Sequence, residues 1–166
     1  MRFSSIYPAL LAIILQVTPA HTFQCWVVSG AKKDPEKVFT QRLLSDSGDS
    51  IAGHPCRVFQ SWIDLMAYAK KMKRNKEGLR PHEKILIVQG AHGAPGGSAT
   101  LNAEDAPGPT ILENLRQLSQ SHSVGAVIES CYSGDLLKQK LTADQNDSSH
   151  PSVQNLCLLT SSLFGR

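Results

Sequence analysis

Five short apolar runs recur along the chain, and segments with helical spacing of apolar side chains separate them. Three of the runs are near-continuous and rich in Val, Ile and Leu, which is typical of strands covered on both faces. Strands that alternate with helices predict a three-layer α/β/α fold with a mostly parallel sheet. The predicted strands are Trp26–Ser29, Cys56–Phe59, Ile85–Gln89, Val124–Glu129 and Leu156–Thr160.

Capping residues indicate where the intervening helices begin. Asp34 stands before a proline and a glutamate, which favours a helix start directly after it. Ser61 precedes apolar side chains at helical spacing and is predicted to cap the next helix. Thr110 and Glu113 have the spacing of a capping box, which predicts a helix start at Thr110. A further short helix is predicted over Asp135–Leu141.

The start of the chain has the pattern of a secretory signal peptide. A short basic region precedes the apolar run Ala9–Val17, and small residues with a proline follow it. That run is short for crossing a bilayer, and the alternatives are an uncleaved anchor or a buried N-terminal helix. We expect residues 1–22 to be a signal peptide, cleaved near Ala20 or Thr22, and residues 23–166 to form one domain. The mature protein is then secreted or periplasmic, with no membrane attachment.

Composition and charge exclude several classes of protein. With 166 residues, 41% hydrophobic and 19% charged, the chain is not a disordered tail, a collagen-like repeat or a coiled coil. A net charge of +3 and 6% aromatic residues give no sign of a nucleic-acid partner. Four cysteines are too few for a disulfide scaffold. The histidines and cysteines lack metal-ligand spacing, so neither a metal nor a cofactor is expected.

Two of the predicted strands run into side chains that carry chemistry. ILIVQG leads to His92, and AVIES leads to Cys131, 39 residues further along. Ligands bind beyond the carboxyl ends of parallel strands, and consecutive strands are commonly neighbours. We therefore expect the imidazole and the thiol to face one crevice. A free thiol is mostly protonated at neutral pH, and an adjacent imidazole can take its proton and later protonate the leaving amine.

The residues around this pair favour the same chemistry. Gly93 lets the backbone approach the crevice, so its N–H and that of Cys131 are predicted to form an oxyanion hole. The helical segment after Cys131 places a thiolate near the positive end of a helix dipole. A lone cysteine at a strand end is more often a small buried hydrophobe. The His-Gly pair on the preceding strand favours the catalytic interpretation.

The blocks ILIVQGAHG and AVIESCYSG resemble the signature of the caspase-like cysteine peptidases, the group of legumain, metacaspases and gingipains. The likeness is closer to legumain and metacaspases than to caspases, whose cysteine block is Q-A-C-x-G. It spans roughly Trp26 to Thr160 in element order. The resemblance implies a thiol protease of the cysteine endopeptidase type, with His92 as general acid/base and Cys131 as nucleophile. Its substrate is then a peptide or protein.

The resemblance also implies a specificity residue and a disulfide. Glu129 lies two residues before Cys131, so strand alternation points both the same way. The equivalent acidic residue of the resembling families lines the primary specificity pocket, which selects Asn in legumain-like and Arg or Lys in metacaspase-like enzymes. That choice stays open, as does a structural ion pair for Glu129. The family's sheet order makes the first two strands neighbours, which implies a disulfide between Cys25 and Cys56.

One departure from the family pattern keeps other functions open. The family sheet has six main strands, and this chain ends just after the fifth, so the domain is expected to lack the last strand. Self-association, a second chain or further sequence would then complete the substrate cleft, or the cleft is incomplete. The alternatives are a catalytically inactive caspase-like module that binds partners, and another thiol chemistry on a small-molecule substrate.

Overall fold

A computed structural model describes most of the chain between the first and last predicted strands. The expected signal peptide over residues 1–22 and the helix expected after Asp34 lie outside the described residues. The described residues are 23–29, 50–51, 54–74, 83–101, 104–146 and 154–161.

The described residues form strands and helices in alternation, with a cluster of short strands in the middle. All five predicted strands are present, four of them one to three residues longer than predicted. No helix in the described ranges is both long and apolar enough to cross a membrane. In chain order the elements are β1 (Phe23–Ser29), β2 (Ser50–Ile51), β3 (His54–Phe59), α1 (Trp62–Arg74), β4 (Lys84–Gly90), β5 (His92–Ala94), a 3₁₀ turn (Pro95–Gly97), β6 (Ser98–Leu101), β7 (Glu104–Ala106), α2 (Gly108–Ser119), β8 (Ser123–Glu129), α3 (Gly134–Asn146) and β9 (Leu156–Thr160).

The protein has an α/β fold built on a mostly parallel sheet. Six strands form this sheet in the order β2-β3-β1-β4-β8-β9. The five longer strands are parallel, and the two-residue β2 pairs antiparallel with β3. After β1 the chain adds β3 on one side, whereas after β4 it adds β8 and then β9 on the other. The point where the direction reverses lies between β1 and β4, and parallel sheets bind ligands outside the strand ends at such a point.

The two faces of the sheet differ in what covers them. One face carries Trp26, Ile87 and Ala126, and all three described helices contribute to its apolar cluster. On the opposite face the side chains of Val27, Val88 and Val127 form a second, smaller cluster. These sets alternate along each strand because successive side chains of a strand point to opposite faces. The register aligns Val27, Val88 and Val127 across three neighbouring strands.

The start of α1 follows the predicted capping pattern, whereas the start of α2 does not. The Ser61 hydroxyl accepts a hydrogen bond from the Asp64 N–H at 3.1 Å and donates one to its carboxylate at 2.9 Å. The prediction that α2 begins with a Thr110 capping box was wrong, because the helix begins at Gly108. Pro109 lies in its first turn, where a fixed φ suits a helix and no N–H is needed.

The residues after His92 form short strands and a turn. β5, β6 and β7 form a small antiparallel sheet of their own. Within it the 3₁₀ turn carries two glycines with positive φ, Gly96 at 79° and Gly97 at 72°. Glycine adopts this region without the steric cost that a Cβ brings, so the two glycines allow the tight reversal.

Candidate active site

The expected partners His92 and Cys131 lie at equivalent positions beyond two neighbouring strands. β4 and β8 are parallel, and Gly90 is aligned with Glu129 at their carboxyl ends. The Ala91 N–H continues this pairing by donating a hydrogen bond to the Glu129 carbonyl at 3.1 Å. One residue further on, His92 begins β5, and Cys131 follows Ser130 beyond β8. The topology thus brings the two residues to one edge of the sheet.

The backbones beside these two residues are in direct contact. A Cβ placed on Gly93 would overlap the Cys131 carbonyl oxygen and lie 2.7 Å from the Cys131 nitrogen. Position 93 therefore requires glycine for close approach rather than for an unusual φ. The two amide groups that the sequence assigns to an oxyanion hole belong to residues packed against each other.

Both candidate catalytic side chains are accessible to solvent. Cys131 is an exposed free cysteine, which is unlike the buried hydrophobe that a lone strand-end cysteine usually is. His92 is exposed as well. A peptide arriving from solvent can therefore reach both side chains at this edge of the sheet.

The turn that presents Cys131 has a constrained backbone. Tyr132 has a φ of 60°, the one positive φ of a non-glycine residue in the described ranges. The Ser133 N–H donates to the Ser130 carbonyl at 3.2 Å, and the Asp135 N–H donates to the Tyr132 carbonyl at 3.0 Å. Left-handed conformations at non-glycine residues cluster at functional sites, where surrounding contacts hold them in place.

Helix α3 holds the segment that follows His92. The Asp135 carboxylate accepts a hydrogen bond from the Gly96 N–H, and the Gln139 amide donates to the Gly96 carbonyl, both at 2.9 Å. A Cβ on Gly97 would lie 2.6 Å from Cγ of Leu136. The helix that begins just after Cys131 thus positions the strands that begin with His92. A surface groove beside this contact is lined by α3 and Gly96, and neither His92 nor Cys131 is among its lining residues.

Glu129 is partly buried at the last position of β8. It belongs to a row of aligned residues that are the last residues of β1, β4 and β8. Ser29 is aligned with Gly90 across β1 and β4, and Gly90 with Glu129 across β4 and β8. By strand alternation, Ser29 and Glu129 share the face that carries Val27 and Val127. Ser29 is 8% exposed, so its hydroxyl is a buried polar group at the carboxyl edge.

The four cysteines separate into a bonded pair and two free thiols. A disulfide joins Cys25 to Cys56, whose Cα atoms are 4.4 Å apart on the neighbouring strands β1 and β3. Cys157 lies on β9 and is exposed. Its strand β9 lies at the end of the described sheet order, where the face carrying Cys157 and Leu159 is open to solvent.

The described residues include no group of three or more His, Cys, Asp or Glu side chains arranged to hold a metal ion. His92, Cys131 and Glu129 lie at the carboxyl edge of β4 and β8, and the Asp135 carboxylate near by in sequence accepts a hydrogen bond from the Gly96 N–H.

Compared with protein-family models, with curated proteins and with solved structures, the chain has no match. The family resemblance therefore rests on the two sequence blocks around His92 and Cys131.

Sequence reasoning missed several residues that shape the site. Asp135 was read only as part of a short helix, although its place four residues after Cys131 put it in the first turn of α3. The sequence does not predict that Ser29 and Gly90 are aligned with Glu129, because this alignment depends on strand order and register. The sequence gives no sign of the positive φ at Tyr132, because aromatic residues are not favoured in that conformation.

Proposed function

We propose that the chain is a cysteine-type endopeptidase with a caspase-like three-layer fold, acting through a dyad of His92 and Cys131. The observation that supports this most directly is the contact between the backbones of Gly93 and Cys131 at the edge of two parallel strands. That contact brings the His-Gly and Cys blocks, remote in sequence, to one place. Both reactive side chains are exposed there, as nucleophilic catalysis on a polypeptide requires.

The reaction follows from the chemistry of these groups. The His92 imidazole takes the proton of the Cys131 thiol, and the sulfur attacks the carbonyl carbon of the scissile peptide bond. The Gly93 and Cys131 N–H groups donate hydrogen bonds to the oxyanion that forms. The imidazolium then protonates the leaving amine as the C–N bond breaks. Water, deprotonated by His92, hydrolyses the thioester and restores the thiol.

The substrate is a peptide or protein cleaved after Asn or a basic residue. Glu129 supports this assignment because it is acidic, partly buried and only two residues before the nucleophile. A carboxylate there can accept hydrogen bonds from an amide, an ammonium or a guanidinium group. The proposal includes export through the N-terminal signal peptide, for which residues 1–22 supply the sequence pattern.

Selective alkylation tests the dyad, and the chain carries its own control. Cys131 and Cys157 are both exposed free thiols, so a difference in their rates of reaction with iodoacetamide reports reactivity rather than access. We expect Cys131 to react faster than Cys157 in the native protein. We also expect His92→Ala to remove that difference and to lower kcat/KM for peptide hydrolysis by about 10²–10⁴-fold.

Equal alkylation of the two thiols, together with no hydrolysis of a peptide library, would contradict the proposal. That pair of results would instead favour an inactive module of the same fold that binds partners. Hydrolysis of small amides with no cleavage of peptides would favour a different thiol chemistry. A library varied at the residue before the cleaved bond also decides between Asn and basic side chains.

A further inference from the structure

Positive charge is distributed unevenly along the chain. The 28 residues from Arg57 to Lys84 include eight basic and three acidic side chains, which gives this stretch a net charge of +5. The whole chain has a net charge of +3, so the remaining residues are net acidic. The stretch contains the end of β3, all of α1 and the start of β4. Such a charge asymmetry points to an anionic partner.

The basic side chains that the structure describes in this stretch are exposed and form no salt bridge. We call them the basic surface, which consists of Arg57 on β3, Lys70, Lys71 and Lys73 on α1, and Lys84 at the start of β4. The salt bridges within the described ranges join Arg116 and Lys140 to Asp144, which lie on α2 and α3. In the described part of the chain, no carboxylate therefore neutralises the basic surface.

Helical spacing and a ring contact bring several of these cations together. Lys70 and Lys73 are three residues apart on α1, where side chains are neighbours with Cβ atoms about 5–6 Å apart. The Arg57 guanidinium lies over the Tyr68 ring, 4.4 Å from its centroid. Tyr68 is in turn three residues before Lys71, so Arg57 is placed beside the same helix. Like charges at this spacing repel one another, and a bound polyanion removes that repulsion.

The end of a helix accounts for only part of this charge. Cations in the last turn are favoured by the helix dipole, which is a sufficient reason for Lys71 and Lys73. It gives no reason for Arg57 and Lys84, because these residues lie on strands. The basic surface thus extends over three elements, as the binding surface for a long ligand would.

The basic surface and the candidate active site are at different edges of the sheet. Helix α1 leads from the carboxyl end of β3 to the amino end of β4, so its last turn and Lys84 lie toward the amino edge. Lys84 and Gly90 are the two ends of β4, which places them about 20 Å apart. His92 and Cys131 follow the carboxyl edge. A ligand held near Lys84 therefore leaves these two side chains open.

We infer that the basic surface binds a sulfated polysaccharide. Sulfate groups repeat along such a chain and accept charge-assisted hydrogen bonds from several Lys and Arg side chains at once. The Cys25–Cys56 disulfide favours this polyanion over nucleic acids and over the anionic cytoplasmic leaflet, because disulfides persist in oxidising compartments outside the cytosol. The choice rests on the proposed export and is independent of the proposed peptidase activity.

Heparin binding, measured over a range of NaCl concentrations, tests the basic surface. The variant Lys70→Gln/Lys73→Gln and the control Lys138→Glu both lower the net charge by two, and Lys138 is an exposed lysine of α3. Gln keeps the helix propensity of Lys, so the double variant is expected to fold. We expect it to bind heparin about tenfold more weakly near physiological ionic strength, with a salt slope lower by about one unit for each lysine removed. Lys138→Glu is expected to bind as the unmodified protein does.

Further probes decide the class of partner and the place of binding. Equal weakening in the double variant and in Lys138→Glu would overturn the inference, because net charge alone would then explain binding. Desulfated heparin, polyglutamate, single-stranded DNA or phosphatidylserine vesicles that bind as tightly as heparin would also overturn it. Heparin is expected to leave the rate of Cys131 alkylation unchanged, and protection of Cys131 would contradict the assigned surface. A protein that binds heparin in this way and hydrolyses no peptide supports the surface and contradicts the peptidase.

Discussion

The backbone of Cys131 leaves no room for a side chain at position 93. An added Cβ would overlap the Cys131 carbonyl oxygen and come within 2.7 Å of its nitrogen. Both neighbours are main-chain atoms, which cannot rotate away as a flexible side chain would. Either β5 or the turn after β8 would have to move, and both carry candidate catalytic residues. Packing at this single position therefore controls the geometry of the whole site.

Gly93→Ala is expected to damage stability and reactivity together. Forcing a methyl group into a filled space costs about 1–3 kcal/mol of the free energy of unfolding, measured by urea denaturation. The same shift is expected to slow alkylation of Cys131 toward the rate at Cys157. Gly125→Ala is the control, since its Cβ meets ordinary van der Waals distances. If Gly93→Ala matched this control in stability and in thiol reactivity, the close approach would be contradicted.

Tyr132 shows a second local constraint at the same turn. Its positive φ costs roughly 1–2 kcal/mol relative to a right-handed conformation, because the Cβ comes close to the following carbonyl. Hydrogen bonds from the Ser133 and Asp135 N–H groups span this residue and hold the turn. The reversal lets the chain pass from β8 into α3 within four residues, which keeps Cys131 at the edge of the sheet.

Among the elements, α3 is linked to the turn after His92 by two hydrogen bonds at Gly96, and the Asp135 carboxylate accepts one of them. Asp135→Ala removes the acceptor of the Gly96 N–H, so we expect faster amide hydrogen exchange over residues 95–97. The matched control is Lys138→Ala, because Lys138 lies beside the same groove and is exposed. Exchange that is equally fast in both variants, or unchanged in both, would contradict a positioning role for Asp135.

The apolar runs predicted the main strands because burial on both faces leaves a continuous hydrophobic signal. Leu156–Thr160 matches β9 at both ends. Ser61 predicted the start of α1 because the cap is a local interaction between near neighbours. The capping-box pattern at Thr110 did not give the correct start of α2. The helix begins earlier because Pro109 suits its first turn and Gly108 packs against the Gly96 carbonyl.

The short strands β5, β6 and β7 could not be read from the sequence. They have three or four residues each and are rich in Gly, Ala and Ser, so they show no apolar alternation. The turn between β5 and β6 is held by hydrogen bonds with α3 residues that lie 39 and 43 positions further along the chain. The exposure of Cys157 was not predictable for a related reason. An edge strand and a central strand have similar apolar sequences, and only the strand order shows which face stays open.

At the scale of the whole molecule, strand order decides which side chains meet. The juxtaposition of His92 and Cys131 was predictable because it needs only two consecutive strands that are neighbours. The row that includes Ser29 was not predictable, because it needs β1 beside β4 and an exact register over seven residues. A shift of one residue in that register would turn Ser29 to the opposite face.

The disulfide between Cys25 and Cys56 fixes the strand pair on the other side of β1. It closes a loop with a sequence separation of 31, for which loss of unfolded-state entropy predicts a stabilisation of about 3–4 kcal/mol. We expect the double variant Cys25→Ala/Cys56→Ala to lose about that much free energy of unfolding in urea without reductant. Cys157→Ala is the control, because an exposed side chain outside the bond should change stability by less than about 0.5 kcal/mol.

A thiol count tests the same bond independently of stability. The denatured, unreduced protein is expected to show two thiols, those of Cys131 and Cys157, and the reduced protein all four. Four thiols before reduction would contradict the disulfide. Two thiols combined with full stability in the double variant would show that the bond forms but that loop entropy does not govern its effect. Because an oxidising compartment is needed for the bond to persist, the count also bears on the proposed export.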